Sequence, residues 1–188
     1  IPEPHNNLGS LYENLDKIDQ AISCYKKAIL IKPDFSYAHH NLGTSYISLG
    51  KFDEAKKHLR KSVELNPNFM QSHRMLSRIT KYTYDDEHLN ELIKIYKNLN
   101  EDDKKNRIEI GFSLGKAYED IKKFRDSFNH YKEANLLQRK NINFSIKDER
   151  KKFEDIKSIY NKKLFEKYKN CGNANYKPIF IIGMPRSS

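Results

Sequence analysis

The residues best suited to chemistry lie at the end of the sequence, where residues 178–188 are P-I-F-I-I-G-M-P-R-S-S. The β-branched and aromatic run at 179–182 predicts a short buried strand. Gly183 interrupts this run, and a loop with one arginine and two serines follows it. Loop N–H groups and an arginine can surround a phosphate group. The sequence therefore predicts an anion-binding loop at Gly183, Pro185, Arg186, Ser187 and Ser188. The alternative is a buried strand that ends in a turn, with Arg186 in water. The loop residues alone favour this alternative, whereas the helical array that precedes them favours the anion-binding loop.

Composition limits the classes of function. The chain has 188 residues and a formal net charge of +10, with lysines interleaved among acidic residues. This pattern is typical of solvated helix faces and argues against a nucleic-acid partner. Cys24 and Cys171 lie far apart and lack metal-ligand spacing, which predicts a reducing, cytoplasmic location. No apolar run is long enough to predict a membrane span. Because the chain begins at Ile1 rather than Met, we expect it to be a segment of a longer protein, so a signal peptide before Ile1 stays open as an alternative to the cytoplasmic location.

Small and aromatic residues recur along the first third of the chain at a step of 34. The first set is Leu8, Gly9, Tyr12, Ala21, Tyr25, Ala28 and Pro33, and the second is Leu42, Gly43, Tyr46, Ala55, Leu59, Ser62 and Pro67. The glycines and alanines allow two helices to approach closely, and each proline ends the second helix. This period and pattern are those of the tetratricopeptide repeat (TPR). They predict an all-α, right-handed solenoid of antiparallel helix pairs, beginning with repeats at 1–34 and 35–68.

The rest of the chain keeps the helical pattern with less regularity. Residues 69–101 predict a degenerate helix pair, because the period persists while the small residues are lost. The pattern returns at 102–141, displaced by four extra residues that predict a longer first helix. Ser145 begins a capping box, and a capping helix is predicted at 145–169. A linker at 170–177 and the strand and loop of 178–188 complete the chain.

Two of these features together resemble a known family. Residues 114–135, L-G-K-A-Y-E-D-I-K-K-F-R-D-S-F-N-H-Y-K-E-A-N, are similar to the last repeat of bacterial TPR sulfotransferases. The terminal P-I-F-I-I-G-M-P-R-S looks like the 5′-phosphosulfate loop of that family, which uses 3′-phosphoadenosine 5′-phosphosulfate (PAPS). The resemblance implies that Arg186 pairs with phosphate or sulfate oxygens and that residues 178–188 begin an α/β domain. Ser188 departs from the family's loop, which has glycine at that position. Since the general base and the 3′-phosphate site would lie downstream, the chain itself is expected to be inactive.

The solenoid also predicts a groove for a peptide or protein partner. The residues expected to face this groove are Asn6, Ser10, Glu13, His40, Thr44 and Ile47. His39 is expected to pack in the core, and the adjacent His39 and His40 point in different directions and form no metal site. The spacing of the remaining histidines predicts no metal site either. Two functions stay open, namely the TPR region of a PAPS-dependent sulfotransferase and a stand-alone TPR protein-binding scaffold.

Overall fold

The computed structural model describes residues 1–142 and 145–167, and these residues contain no strand. The helices in these ranges are α1 (Glu3–Asn14), α2 (Ile18–Ile31), α3 (Ser36–Ser48), α4 (Phe52–Leu65), α5 (Met70–Ile79), α6 (Glu87–Asn98), α7 (Lys104–Asp120), α8 (Phe124–Asn141), α9 (Ile146–Ile159) and α10 (Lys162–Lys167). Residues 1–142 form one compact unit, and α9 and α10 belong to a second. The predicted all-helical solenoid is confirmed for the first unit. The predicted strand and loop at 178–188 lie outside the described residues.

Close approach of paired helices depends on glycine at one recurring position. A Cβ atom at Gly43 would lie 2.7 Å from Leu59 Cγ, and one at Gly115 would lie 2.6 Å from Tyr131 Cδ1. Both distances are far below van der Waals contact, so any larger residue would push the helices apart. The same relation joins Gly9 to Tyr25. The glycine positions in the sequence therefore predicted the helix crossings correctly.

The turns between the two helices of three pairs share the same backbone geometry. Asp16, Gly50 and Lys122 stand just after α1, α3 and α7 with φ of 58°, 70° and 62°. At the third of these turns, Lys122 N–H donates to Glu119 O at 3.0 Å, and Lys123 N–H donates to Tyr118 O at 2.9 Å. These two bonds form a Schellman motif, which satisfies the last carbonyls of the helix. Glycine adopts this left-handed conformation without steric cost, whereas lysine and aspartate do not.

Replacing Lys122 by glycine is therefore expected to stabilise the protein. The gain in the free energy of unfolding should be up to about 1 kcal/mol, because the left-handed penalty outweighs the extra backbone entropy of glycine. Urea denaturation measures the difference. The reverse change at the equivalent turn, Gly50→Lys, should destabilise by a similar amount. A loss of stability in Lys122→Gly would contradict the assigned turn geometry.

The third pair departs from the others. At the backbone level, α5 packs on α4 and α7, and α6 packs on α7 rather than on α5. The positions that are small in the other pairs carry larger residues here, including Leu89 in place of Ala55 and Tyr96 in place of Ser62. At the backbone level, α5 and α6 therefore do not form the close pair seen in the other repeats. The loop that joins α5 to α6 is anchored by Asp120 of α7, which accepts a hydrogen bond from Tyr82 N–H at 3.0 Å.

The core follows the helix pairs in successive clusters. One cluster joins the first two pairs around Ala21, Tyr25, Leu42 and Ala55. A small cluster around Leu59 leads to the third pair. A larger cluster joins α5, α6 and α7, and its members are Met70, Tyr82, Leu89, Leu92, Ile110, Leu114, Ala117 and Ile121. Each cluster thus links neighbouring pairs, as expected for a solenoid.

The second unit differs from the single helix predicted at 145–169. Ser145 accepts a bond from Asp148 N–H at 3.2 Å, so the predicted cap is present. However, α9 ends at Ile159 and α10 begins at Lys162. The cause is Asn161, whose side-chain oxygen accepts from Leu164 N–H at 3.1 Å and caps a new helix. The predicted role of this segment as a cap for the helical stack stays a prediction. Across the described residues of both units, no helix combines the length and hydrophobicity needed to cross a bilayer.

Candidate binding groove

The six predicted groove residues lie on the first helices of the first two pairs, and all are partly exposed. The equivalents of His40, Thr44 and Ile47 lie 34 residues later on α5. On α7 they lie 72 residues later, which is two periods of 34 plus the four extra residues. We call the resulting set the groove face, and it consists of Asn6, Ser10, Glu13, His40, Thr44, Ile47, Arg74, Arg78, Lys81, Phe112, Lys116 and Glu119.

In the first half of the groove face, polar side chains form hydrogen bonds to other residues of the solenoid. Asn41 Nδ2 donates to Asn6 Oδ1 at 2.9 Å, which joins α3 to α1. Glu13 accepts from Ser45 Oγ at 2.8 Å and from Tyr25 Oη at 3.0 Å. These predicted groove residues therefore hold neighbouring repeats together. Much of their bonding capacity is used inside the protein.

The other predicted groove residues also have internal partners. His40 Nδ1 lies 2.8 Å from Ser72 Oγ, and Thr44 Oγ1 donates to the carbonyl of Asn41 at 2.8 Å. Burial lowers the pKa of His40 to about 4, so the imidazole is neutral near pH 7. Further internal contacts are made by Ser10, whose hydroxyl lies 3.3 Å from Tyr25 Oη, and by Ile47, which packs against the core.

The second half of the groove face is cationic. Arg74, Arg78, Phe112 and Lys116 line one cavity of about 180 Å³ between α5 and α7. The Arg74 guanidinium lies 4.3 Å from the centre of the Phe112 ring, a cation–π contact. Its Nε atom also lies 3.5 Å from a Glu109 carboxylate oxygen. The cavity therefore combines positive charge with an aromatic surface.

The cations of this half differ in how far they are already paired. Lys116 contacts the carboxylate of Asp120 and the carbonyl of Thr80. Lys81 also pairs with Asp120, at 3.2 Å. Arg78 is exposed, and within residues 1–142 and 145–167 it forms no ion pair with a carboxylate. Arg78 is thus the groove-face cation most available to an external anion.

Two histidine pairs lie in the interior of the solenoid, and sequence reasoning missed them. His39 Nε2 lies 3.0 Å from the carbonyl of Pro33, and His73 Nε2 lies 2.9 Å from the carbonyl of Pro67. A carbonyl only accepts, so both Nε2 atoms carry the proton and both Nδ1 atoms are acceptors. The signal that could have found them is the recurrence of His5, His39 and His73 at the step of 34.

Each Nδ1 acceptor faces a second histidine. His58 Nδ1 lies 3.0 Å from His39 Nδ1, and His88 Nε2 lies 3.0 Å from His73 Nδ1. The other nitrogen of His88 lies 2.7 Å from Tyr82 Oη. Burial lowers the pKa of His58 to about 4 and that of His88 to about 3, so both rings are neutral near pH 7.

Among the predicted site residues, those of the groove lie in the part of the chain that the structure describes. The predicted anion loop, with Gly183, Pro185, Arg186, Ser187 and Ser188, lies outside the described residues. Its assignment to PAPS therefore stays a prediction. The cationic cavity of α5 and α7 was not predicted, although continuing the groove positions by the same steps would have found it.

Comparison with known proteins supports the repeat assignment. Residues 2–35 and 36–69 each match the tetratricopeptide repeat family model, so the chain contains at least these two TPRs. An uncharacterized protein of Aquifex aeolicus is 31% identical over 84 residues, or 45% of this chain. The chain matches only 11% of the length of that relative.

Solved structures with a similar fold extend the likeness beyond the two repeats. A crystal structure of MamA is 20% identical, with a TM-score of 0.57 over 76% of this chain and 81% of that one. A putative kinesin light chain from Podosopora anserina, with nearly identical TPR-like repeats, is 16% identical, with a TM-score of 0.56 over 76% of this chain and 77% of that one. At these identities the likeness concerns the fold alone. None of these comparisons supports the sulfotransferase resemblance.

Proposed function

We propose that this chain is a protein-binding scaffold whose groove face takes an acidic segment of a partner protein. The observation that carries the proposal is the cavity shared by Arg74, Arg78, Phe112 and Lys116. A TPR-like fold supports the general role of protein binding. The partner's chemistry follows from the charge and the ring at this cavity, which suit carboxylate and aromatic side chains.

The two halves of the groove face would contribute differently to such a complex. Asn6, Glu13 and His40 already form hydrogen bonds within the protein. They therefore contribute to the shape of the groove more than to hydrogen bonding with a partner. Arg78 is exposed and has a planar group that can bind a carboxylate through two parallel hydrogen bonds. We therefore expect binding energy to concentrate on α5 and α7.

A short fluorescein-labelled peptide of glutamate and phenylalanine tests this proposal. In fluorescence anisotropy at low salt, it should bind the chain, while a peptide with lysine in place of glutamate should not. Arg78→Glu should weaken binding by about tenfold or more, since it removes a partner and adds repulsion. Circular dichroism should be unchanged, because Arg78 is exposed.

The matched control is Arg125→Glu, which makes the same change in net charge at an exposed site on the second helix of the fourth pair. This variant should retain most of the affinity. Equal losses in both variants would mean that the peptide responds to overall charge and not to the groove. Failure of the acidic peptide to bind wild-type protein would reject an acidic partner.

A second candidate is that this scaffold belongs to a PAPS-dependent sulfotransferase. The supporting observation is the order of the sequence, in which a helical array precedes the P-I-F-I-I-G-M-P-R-S segment. Arg186 would then bind phosphate oxygens in a longer protein, and the 188-residue chain would be inactive. Titration of 3′-phosphoadenosine 5′-phosphate into a longer protein containing this chain, with Arg186→Ala as the variant, tests that candidate. The stand-alone scaffold fits the comparisons at least as well.

A further inference from the structure

A second cavity, of about 610 Å³, lies between α4 and α6 and differs in chemistry from the groove face. His73 of α5 lines it, and α4 and α6 supply charged residues of both signs. These are Arg60, Glu64, Glu87, Glu91 and Lys94. The cavity exists because α6 packs on α7 and leaves space beside α5. Nothing in the proposed scaffold role uses this cavity.

We propose that His73, His88 and Glu91 bind a divalent transition-metal ion, for which Zn²⁺ is the best match. One donor atom from each residue lies within 4.8 Å of the other two. Two imidazoles and one carboxylate form a common ligand set for Zn²⁺ with a fourth position open to water. That fourth position would face the cavity between α4 and α6.

The outer hydrogen bonds orient the donors as metal-binding histidines require. His73 Nε2–H donates to the carbonyl of Pro67 at 2.9 Å, so Nδ1 carries the free lone pair. On His88, Nδ1 faces Tyr82 Oη at 2.7 Å. When the ion binds, the His88 proton moves from Nε2 to Nδ1, where Tyr82 Oη accepts it in a hydrogen bond. The proton stays on the ring, and Nε2 becomes free to bind the metal.

The movement needed to admit the ion is small. His73 Nδ1 and His88 Nε2 are 3.0 Å apart, whereas tetrahedral zinc with two imidazole ligands separates these atoms by about 3.3 Å. Both rings must also turn toward a common point on the side where Glu91 lies. His88 and Glu91 lie three residues apart on α6, so their side chains share one helix face.

Charge in the cavity also favours a cation. Three carboxylates line the cavity, those of Glu64, Glu87 and Glu91, against the two cations Arg60 and Lys94. The excess of negative charge partly neutralises a divalent ion.

The protein contains its own control for this site. In the pair His39 and His58, His39 bonds to the equivalent carbonyl, that of Pro33, and the two ring nitrogens are also 3.0 Å apart. In the part of the chain that the structure describes, only the group of His73, His88 and Glu91 brings three potential ligands together. The two pairs therefore differ in the carboxylate, and only one of them should bind zinc with the affinity of a three-ligand site.

Isothermal titration of ZnCl₂ into the metal-free chain in a non-chelating buffer tests the proposal. Wild-type protein and His58→Ala should each bind one ion with the same affinity. Glu91→Gln should weaken binding by at least about tenfold, since loss of a direct ligand costs no less than loss of an outer partner. This variant decides the test, because Glu91 is exposed and its replacement should leave the fold intact.

Two further measurements complete the test. His88→Ala should abolish the site, with circular dichroism used to check that the variant folds. Co²⁺ in place of Zn²⁺ should give the visible absorption bands of a tetrahedral ion, and these bands should be lost in Glu91→Gln. Absence of a wild-type site, full affinity in Glu91→Gln or loss of affinity in His58→Ala would each overturn the proposal.

Discussion

Replacing Leu114 by alanine is expected to lower the free energy of unfolding by about 2–5 kcal/mol. Leu114 is 1% exposed and lies in the largest core cluster, between Ile110 and Ala117 on α7. Alanine would remove the buried isobutyl group and leave a cavity, because the helices around it can relax only in part. Thermal or urea denaturation of wild type and variant measures this loss.

The loss of stability in Leu114→Ala should also be confined to one part of the solenoid. Each repeat contacts only its neighbours in a solenoid, so damage to one cluster should destabilise mainly the adjoining helices. Hydrogen exchange should therefore speed up in α5, α6, α7 and α8, with much smaller changes in α1 and α2. The matched control is Leu30→Ala on α2, where the side chain is 82% exposed. A comparable loss from Leu30→Ala would contradict the assigned core.

Replacing Ala55 by leucine is expected to cost about 1–3 kcal/mol by overpacking. Ala55 is fully buried where α4 crosses α3, and its carbonyl lies only 3.3 Å from the position of a Cβ atom on Gly43. Leucine adds three carbon atoms at a crossing with no space for them. The helices must separate, which also loosens the contact between Gly43 and Leu59.

Lys51→Leu serves as the control for this second prediction. Lys51 is exposed just before α4, so the change should stay within about 0.5 kcal/mol. Both variants add a leucine to the same part of the chain, and the difference in their melting temperatures reports the crossing alone. Equal effects would mean that the assigned helix faces are wrong.

The sequence by itself determined the helix pairs and their crossings. Gly9, Gly43 and Gly115 predicted where second helices approach first helices, and the structure confirms these contacts with Tyr25, Leu59 and Tyr131. Each glycine lies 16 residues before its partner in the chain, within the same helix pair. Because a helix pair is a local unit, its spacing in the sequence dictates which residues meet.

Only the tertiary structure decided which residues from different repeats meet. The separation of α5 from α6 goes together with the bond from Tyr82 N–H to Asp120, 38 residues away. That separation opens the cavity beside His73, and His88 and Glu91 then lie near it. The repeating pattern places His73 but does not reveal that His88 and Glu91 lie near it, since this depends on how the irregular third pair stacks. For the same reason, polarity alone did not reveal that Asn6, Glu13 and His40 bond to neighbouring repeats, while Arg78 stays exposed on the groove face.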